Sequence, residues 1–225
     1  MNIYNKSYLK YNHNLVAPNI VDVGANIGIE AMKLFEIYPD GKITLVEPQE
    51  NNCDRINNYI ETNNLKNNWS VFKCALDLTS GFKEFGFHHF MTDGRLNGSL
   101  DPFNWKQWNY EGTTKVETKR LEDICANPNI IKMDIERHEY IVLPEIVKNS
   151  NINIMYVEMH GPCYELNVLD FLDNCLNGTG LEVTSWFHVE QHQTYMSGED
   201  DICNKVEPQR DIGCGSDYTI IIERN

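Results

Sequence analysis

The sequence predicts an α/β domain of the Rossmann-like kind, and three observations carry that prediction. The stretch Asn19-Ile-Val-Asp-Val-Gly-Ala-Asn-Ile-Gly-Ile-Glu30 reads as a buried strand that runs into a glycine-hinged turn and then a helix. Further short, branched apolar runs recur along the chain, separated by segments of helical spacing, as a mostly parallel sheet covered on both faces requires. The second of these runs ends in a carboxylate, Glu47, a little over twenty residues past Gly24.

In the opening stretch, Ile20, Val21 and Val23 form the strand, while Gly24 and Gly28 free the backbone where the chain reverses. Ile29, Met32, Leu34 and Phe35 follow at helical spacing, so the helix is expected to start near Asn26 to Gly28. Such a turn presents backbone N–H groups and a helix N-terminus at the carboxyl edge of the sheet, where open α/β folds bind ligands. A dinucleotide fingerprint needs glycine at its second position so that backbone can approach a pyrophosphate. Asn26 stands there instead, which favours an adenosyl cofactor without pyrophosphate, S-adenosylmethionine (SAM), over NAD. The alternative for the glycines is a tight connection and nothing more.

Pro39-Asp-Gly41 marks a turn, and Lys42 to Glu47 reads as the second strand. Glu47, followed by Pro48, has the register of an acid that accepts both ribose hydroxyls of an adenosyl group. Residues 50 to 62 read as a helix with Ile56 and Ile60 inward, and Ser70 to Ala75 as a third strand. At its exit Leu76 and Asp77 are expected beside the adenine; Asp77 either accepts from the adenine amino group or simply begins the turn toward Gly81. Strand-like pieces near 82 to 87 and 114 to 118 flank an irregular region, 86 to 113, rich in aromatic residues such as Phe87, Trp105, Trp108 and Tyr110. This region suits either stacking against an acceptor or a lid over the sheet. His88 and His89 are adjacent, so in extended chain they face opposite sides.

Ile130 to Glu136 is the next buried strand, and Lys132 within it calls for a partnered charge. Glu136 and Glu139 are placed on one face of a helix start, where the dipole also favours them. Asn153 to His160 is a fifth strand that brings Glu158 and His160 to the same sheet edge as Asp134, before the Gly161-Pro162 turn. A helix around 164 to 176, a break at Asn177 to Gly180, a strand at Leu181 to His188 and a last strand at Tyr218 to Glu223 complete the pattern. The polar segment 190 to 216 is expected to be a loop near the site, and His188 and His192 make a poor zinc pair because nothing there is helical.

At 225 residues the chain suits one domain, 1–225, with a polar segment at 1–18. A net charge of −14 argues against nucleic acid as a partner, because that affinity is carried by Lys and Arg. Seven scattered cysteines without a C-x-x-C pair signal neither a disulfide framework nor a zinc ribbon. With no apolar leader and no run of about 20 apolar residues, the expectation is a cytoplasmic protein without membrane contact.

Read together, Val21-Asp-Val-Gly-Ala-Asn-Ile-Gly28, Val46-Glu-Pro48, Cys74-Ala-Leu-Asp77, Gly98-Ser-Leu100, Val116 to Asp123, Ile131-Lys-Met-Asp-Ile-Glu136 with Glu139, and Val157-Glu-Met-His160 resemble the successive motifs of the FkbM family of SAM-dependent methyltransferases. The match covers roughly residues 19 to 160. The resemblance implies a class I methyltransferase fold, a seven-stranded, mostly parallel sheet with a reversed last strand and helices on both faces. It also implies methylation of a hydroxyl, commonly on a sugar or polyketide. The chain departs from the family at Arg137, followed by His138, where glycine usually follows the motif's glutamate.

The SAM pocket is accordingly expected to be lined by Asp22, Gly24, Ala25, Asn26, Gly28, Glu47, Pro48, Leu76 and Asp77. Methyl transfer needs an aligned acceptor in a dry pocket and a base for its proton, and His160 has the best intrinsic pKa, with Asp134 and Glu136 next. A divalent cation on Asp134, Glu158 and His160 is the alternative; the metal-free base is preferred because no spacing here is diagnostic of a metal. The favoured activity is O-methylation of a sugar or glycan hydroxyl. The competing readings are a methyltransferase for an amine or a non-sugar natural product, and a SAM-binding module that has lost catalysis, with Arg137 as the suspect lesion. A nucleotide-dependent oxidoreductase ranks lower because of Asn26. Acceptor identity and oligomeric state are not legible.

Overall fold

A computed structural model describes residues 9, 15–90, 95–107, 110–160, 168–190, 202–206 and 217–224. Its elements in chain order are β1 (Asn19–Val23), α1 (Ile29–Ile37), β2 (Lys42–Val46), α2 (Glu50–Thr62), β3 (Trp69–Phe72), β4 (Ala75–Leu76), β5 (Gly81–Phe90), β6 (Arg95–Ser99) and α3 (Pro102–Gln107). There follow β7 (Gly112–Lys119), α4 (Leu121–Ile124), β8 (Ile130–Met133), α5 (Glu139–Ile146), β9 (Ile154–Met159), α6 (Val168–Leu176), β10 (Leu181–Glu190), β11 (Ile202–Val206) and β12 (Asp217–Arg224).

The main sheet runs β11-β10-β12-β9-β8-β1-β2-β3. Neighbours from β3 to β9 pair in parallel, and β12 is antiparallel to both β9 and β10, which makes it the reversed last strand. These are the seven expected strands, and β11 adds an eighth at the edge, antiparallel to β10. The segment 190–216 therefore contributes a strand and is not loop throughout.

Alternation along the parallel strands sends successive side chains to opposite faces. Val21, Val23, Ile131, Met133, Met155 and Val157 pack on one face under α4, α5 and α6, through Leu121, Leu143 and Leu172 among others. Ile20, Ile43, Leu45, Ile130, Ile154 and Tyr156 pack on the other under α1 and α2, through Ala31, Leu34, Ile56 and Ile60. Helices thus cover both faces. Among the described residues no helix is long and apolar enough to cross a membrane.

Three expectations are corrected. The helix after β1 starts at Ile29, because Gly28 itself is left-handed (φ 84°) and caps it. The run 70 to 75 is broken: Cys74 N–H turns back to the Phe72 carbonyl, and Ala75–Leu76 leave the main sheet. They join a second sheet, β4-β7-β5-β6, built on the strand-like pieces expected near 82 to 87 and 114 to 118; β6 and α3 give regular structure to part of the region between them read as irregular. There β5 and β7 pair antiparallel from Gly81↔Thr118 to Phe87↔Gly112, and β6 returns along β5 from Gly86↔Ser99 to Phe90↔Arg95. A satellite core of Ala75, Phe85, Leu100 and Val116 holds this sheet. Glycines at 86 and 98 make room for the rings of Trp105 and Phe85, which a side chain would displace. The Gly161-Pro162 turn, Trp108, His192 and nearly all of residues 1–14 lie outside the described residues.

Candidate functional site

The turn after β1 is stitched to the end of β2. Gly24 and Ala25 N–H both donate to the Val46 carbonyl, at 3.0 and 3.1 Å. Gly24 is left-handed (φ 75°), and a Cβ there would overlap the backbone carbonyl of Asp134. The turn therefore lies against the end of β8, and only glycine permits that approach. Asn26 is also left-handed (φ 49°), a conformation asparagine tolerates. Its N–H donates to Glu47 Oε2 at 2.9 Å, while Gln49 N–H donates to Oε1 at 2.8 Å.

Glu47 is buried, and burial pushes its carboxyl up to about 7, against the opposing hydrogen bonds from Gln49, Asn26 and Asn52. A buried, basic carboxylate at this edge is an acceptor for paired hydroxyl donors such as those of a ribose. Gln49 is buried beside it, and its Nε2 has no acceptor among the described residues. An orphaned donor next to an under-solvated carboxylate fits an adenosyl group with its ribose and ring acceptors.

The other expected pocket residues have varied placements. Gly28 closes the turn by donating to the Ala25 carbonyl at 2.7 Å, Ala25 and Leu76 are buried, and Pro48 is half-buried. Asp22 is fully buried directly opposite Lys132 in the β1–β8 register, with Nζ 3.8 Å from Oδ1. Lys132 Nζ is also 3.5 Å from Asp134 Oδ2, so the partnered charge expected of Lys132 is present. Asp77 already accepts from Lys83 Nζ, faces His138 Nε2 at 3.1 Å and takes the Thr79 hydroxyl at 3.4 Å. Burial raises its pKa, but the bonds from Lys83, the Leu78 N–H and His138 outweigh burial and hold it below the usual range. An adenine amino group can reach Asp77 only by sharing it.

Across the edge, His160 just past β9 is the centre of an acidic cluster. Its Nδ1 is 3.2 Å from Glu139 Oε1, and its Nε2 is 3.6 Å from Asp134 Oδ1 and 3.7 Å from Glu136 Oε2. Glu139, fully buried, also takes the Ile135 N–H at 2.7 Å. Burial opposes the charge on His160, yet Glu136, Glu139 and Asp134 together raise its pKa well above the ordinary value. Burial likewise raises the Glu136 carboxyl, with His160 pulling the other way. Ligand atoms of Asp134, Glu158 and His160 all lie within 4.8 Å of one another.

Glu136 is not part of the helix that Glu139 begins. It is left-handed (φ 55°), as is Arg137 (φ 77°), so Glu136 and Glu139 meet at His160 from two sides and do not share a helical face. The left-handed backbone at 137 accounts for glycine as the usual residue of the related motif; a side chain there costs about 1 kcal/mol.

A wall from the second sheet closes on Glu136. Asn97 Nδ2 donates to Glu136 Oε1 at 2.5 Å, and Ser99 Oγ donates to the Glu136 carbonyl at 2.6 Å. Asn104 Nδ2 lies 3.1 Å from Tyr110 Oη, 3.3 Å from the same carbonyl and 3.4 Å from Glu136 Oε2. Tyr110 stacks against His88 with ring centroids 4.7 Å apart, and burial, then the Glu136 charge, push its pKa up, so its hydroxyl stays protonated. Sequence reading missed Asn97, Ser99 and Asn104 as partners of Glu136, since no spacing signals a contact across 32 to 39 residues.

Comparison with known proteins identifies the domain that carries this edge. The model of the methyltransferase FkbM domain matches residues 22–195. The 2-O-methyltransferase NoeI of Sinorhizobium fredii (strain NBRC 101917 / NGR234) is 25% identical over 130 residues, which are 52% of this chain and 51% of that protein. The crystal structure of a methyltransferase FkbM from Methylobacillus flagellatus KT superposes with a TM-score of 0.54 at 15% identity, covering 96% of this chain and 45% of that one. The chain thus spans about half the length of these relatives. With a class I methyltransferase sheet and a matched domain over most of its length, the chain belongs to the FkbM methyltransferase family.

Proposed function

We propose that the protein is a SAM-dependent O-methyltransferase acting on a sugar or glycan hydroxyl. The observation that carries this reading is one sheet edge bearing both an adenosyl-type cradle, Asn26 with Glu47, and a proton-accepting cluster, Asp134, Glu136 and His160. SAM supplies a methyl group on a sulfonium. Glu47, Asn26 and Gln49 would hold its nucleoside, with Pro48 next to Glu47 in the chain. The acceptor hydroxyl loses its proton to the His160 cluster as the methyl group leaves the sulfonium; the raised pKa values make Glu136 and His160 strong bases in their unprotonated forms, so transfer runs through the unprotonated fraction of the cluster. Two side-chain amides, Asn97 and Asn104, with the Tyr110 ring and hydroxyl, supply hydrogen bonds and an aromatic face that suit a polyol. The 2-O-methylation for which NoeI is named points the same way.

The test is transfer from radiolabelled SAM to a panel of glycans and matched amino sugars, with SAM and NADH binding followed by calorimetry. Transfer to a hydroxyl is expected. Transfer confined to amines would replace the O-acceptor, SAM binding without any transfer would favour an inactive module, and NADH binding without SAM binding would remove the methyltransferase reading.

The distances within the cluster support a second reading of the proton step. Asp134, Glu158 and His160 form a ligand set for a divalent cation, and the Glu139 contact at Nδ1 leaves Nε2 facing Asp134. A cation held there would acidify the acceptor hydroxyl. Loss of transfer on chelation, restored by Mg2+ or Mn2+, would select this reading over the metal-free base.

A further inference from the structure

The turn that carries Glu136 is strained twice over, at Glu136 and at Arg137, and several of its partners lie in one short stretch running from β6 into α3. Ser99 and Asn104 hold the Glu136 carbonyl, and Asn97 holds its carboxylate. Arg137 Nε donates to Asp101 Oδ2 at 2.9 Å, with only 16% and 23% of the two side chains exposed. Asp101 is itself placed by its own N–H to Ser99 Oγ at 2.9 Å, and Trp105 Nε1 donates to the Ser99 carbonyl at 2.6 Å. Glycine at position 137 would relieve the backbone but would leave the segment 97–105 without its only described arginine ion pair to this turn.

We propose that Arg137 is a positioning residue. Its ion pair with Asp101 straps the segment 97–105 onto the β8–α5 turn, so that the acceptor-side wall and the carboxylate of Glu136 are held as one body. The assignment rests on the reading of this edge as a methyl-transfer site. The donor cradle is built by the Asn26 and Gln49 N–H groups on Glu47, at the ends of β1 and β2, whereas the strap joins the segment 97–105 to the β8–α5 turn. The departure from glycine is then a device for fixing the acceptor wall, and not a lesion.

The test compares R137G, R137K, D101N and the charge swap D101R/R137D. In hydrogen exchange, amides of 97–105 should exchange at least tenfold faster in R137G and D101N, while those of β1, β8 and β9 keep the parent's protection. R137K should lie between, and the swap should return within threefold of the parent, since aspartate tolerates the left-handed backbone. In transfer assays with an acceptor from the glycan panel, R137G should raise the acceptor KM about tenfold with SAM affinity unchanged within twofold. Parental exchange rates at 97–105 in both R137G and D101N would overturn the strap, as would unchanged acceptor KM in R137G. If no acceptor in the panel is methylated, the proposed reaction fails while the exchange experiment still decides the strap.

Discussion

On the donor side of the crevice the groups that meet are close in sequence; on the acceptor side they are not. Asn26 and Glu47 are 21 residues apart and are joined by a single strand-helix-strand unit. Glu136 is reached by Asn97 and Ser99 from a separate sheet, by Asn104 from α3, and by His160 just past the next strand. The first half is a local solution, repeated wherever a buried strand meets a glycine turn. The second is assembled by tertiary packing, which leaves its residue types free to vary with the acceptor.

The sharpest way to break this contrast is at Gly24. Gly24→Val must lose both the left-handed turn and the contact with the Asp134 carbonyl, and should cost about 3 kcal/mol or more in urea unfolding, or prevent folding. A variant of parental stability would show that the two halves are not locked at this point. His160→Ala should leave SAM affinity nearly intact and lower transfer by about 10²–10⁴-fold, the range for removing an acid–base group. A large loss of SAM affinity would instead place His160 on the donor side.

Glu47→Gln should do the reverse, weakening SAM by about 10–100-fold in calorimetry without moving the acceptor KM. The raised Glu47 carboxyl adds a pH signature. Ribose hydroxyls favour the ionised form, so SAM affinity should fall about tenfold from pH 8 to pH 6, with proton release on binding visible as a buffer-dependent heat. Flat affinity across that window would remove Glu47 from the cofactor site.

The smallest expected effect is on stability. Glu47 and His160 both have raised folded pKa values, so the stability they contribute is fully present below their unfolded values of 4.5 and 6.5. It is lost as pH rises through about 7 for Glu47 and through the higher folded value of His160. Asp77 has the opposite sign, and its contribution is lost as pH falls through its depressed folded value. The urea midpoint of the free protein should therefore be higher near pH 6 than near pH 9, and a rise toward pH 9 would contradict the raised values, set at Glu47 by burial and at His160 by its carboxylate neighbours.

Much of the scaffold was legible because buried parallel strands announce themselves as branched apolar runs, and the turn glycines mark where the backbone must bend. The helix at Glu50–Thr62 and the strands at Asn19–Val23 and Lys42–Val46 follow directly from such patterns. Of the second sheet only the pieces near 82 to 87 and 114 to 118 were legible, as β5 and β7; β4, β6 and the pairing were not, since residues such as His88 and Asn97 read equally well as loop or strand until Gly98 packs under Phe85 and Trp105 over Gly86. The same limit hid the fate of Asp77: its position past the third run suggested adenine, while Lys83 and His138 claim it in three dimensions.

By itself, then, the order of residues determined the turn after β1 with Glu47 against it, because a strand, a tight turn and an acid at the next strand's tip depend on neighbours along the chain. Only the tertiary structure decided that Glu136 leaves the helix, that Arg137 reaches Asp101, and that three carboxylates surround one histidine. Those outcomes depend on which distant groups desolvate and bond one another, and no local periodicity encodes that pairing.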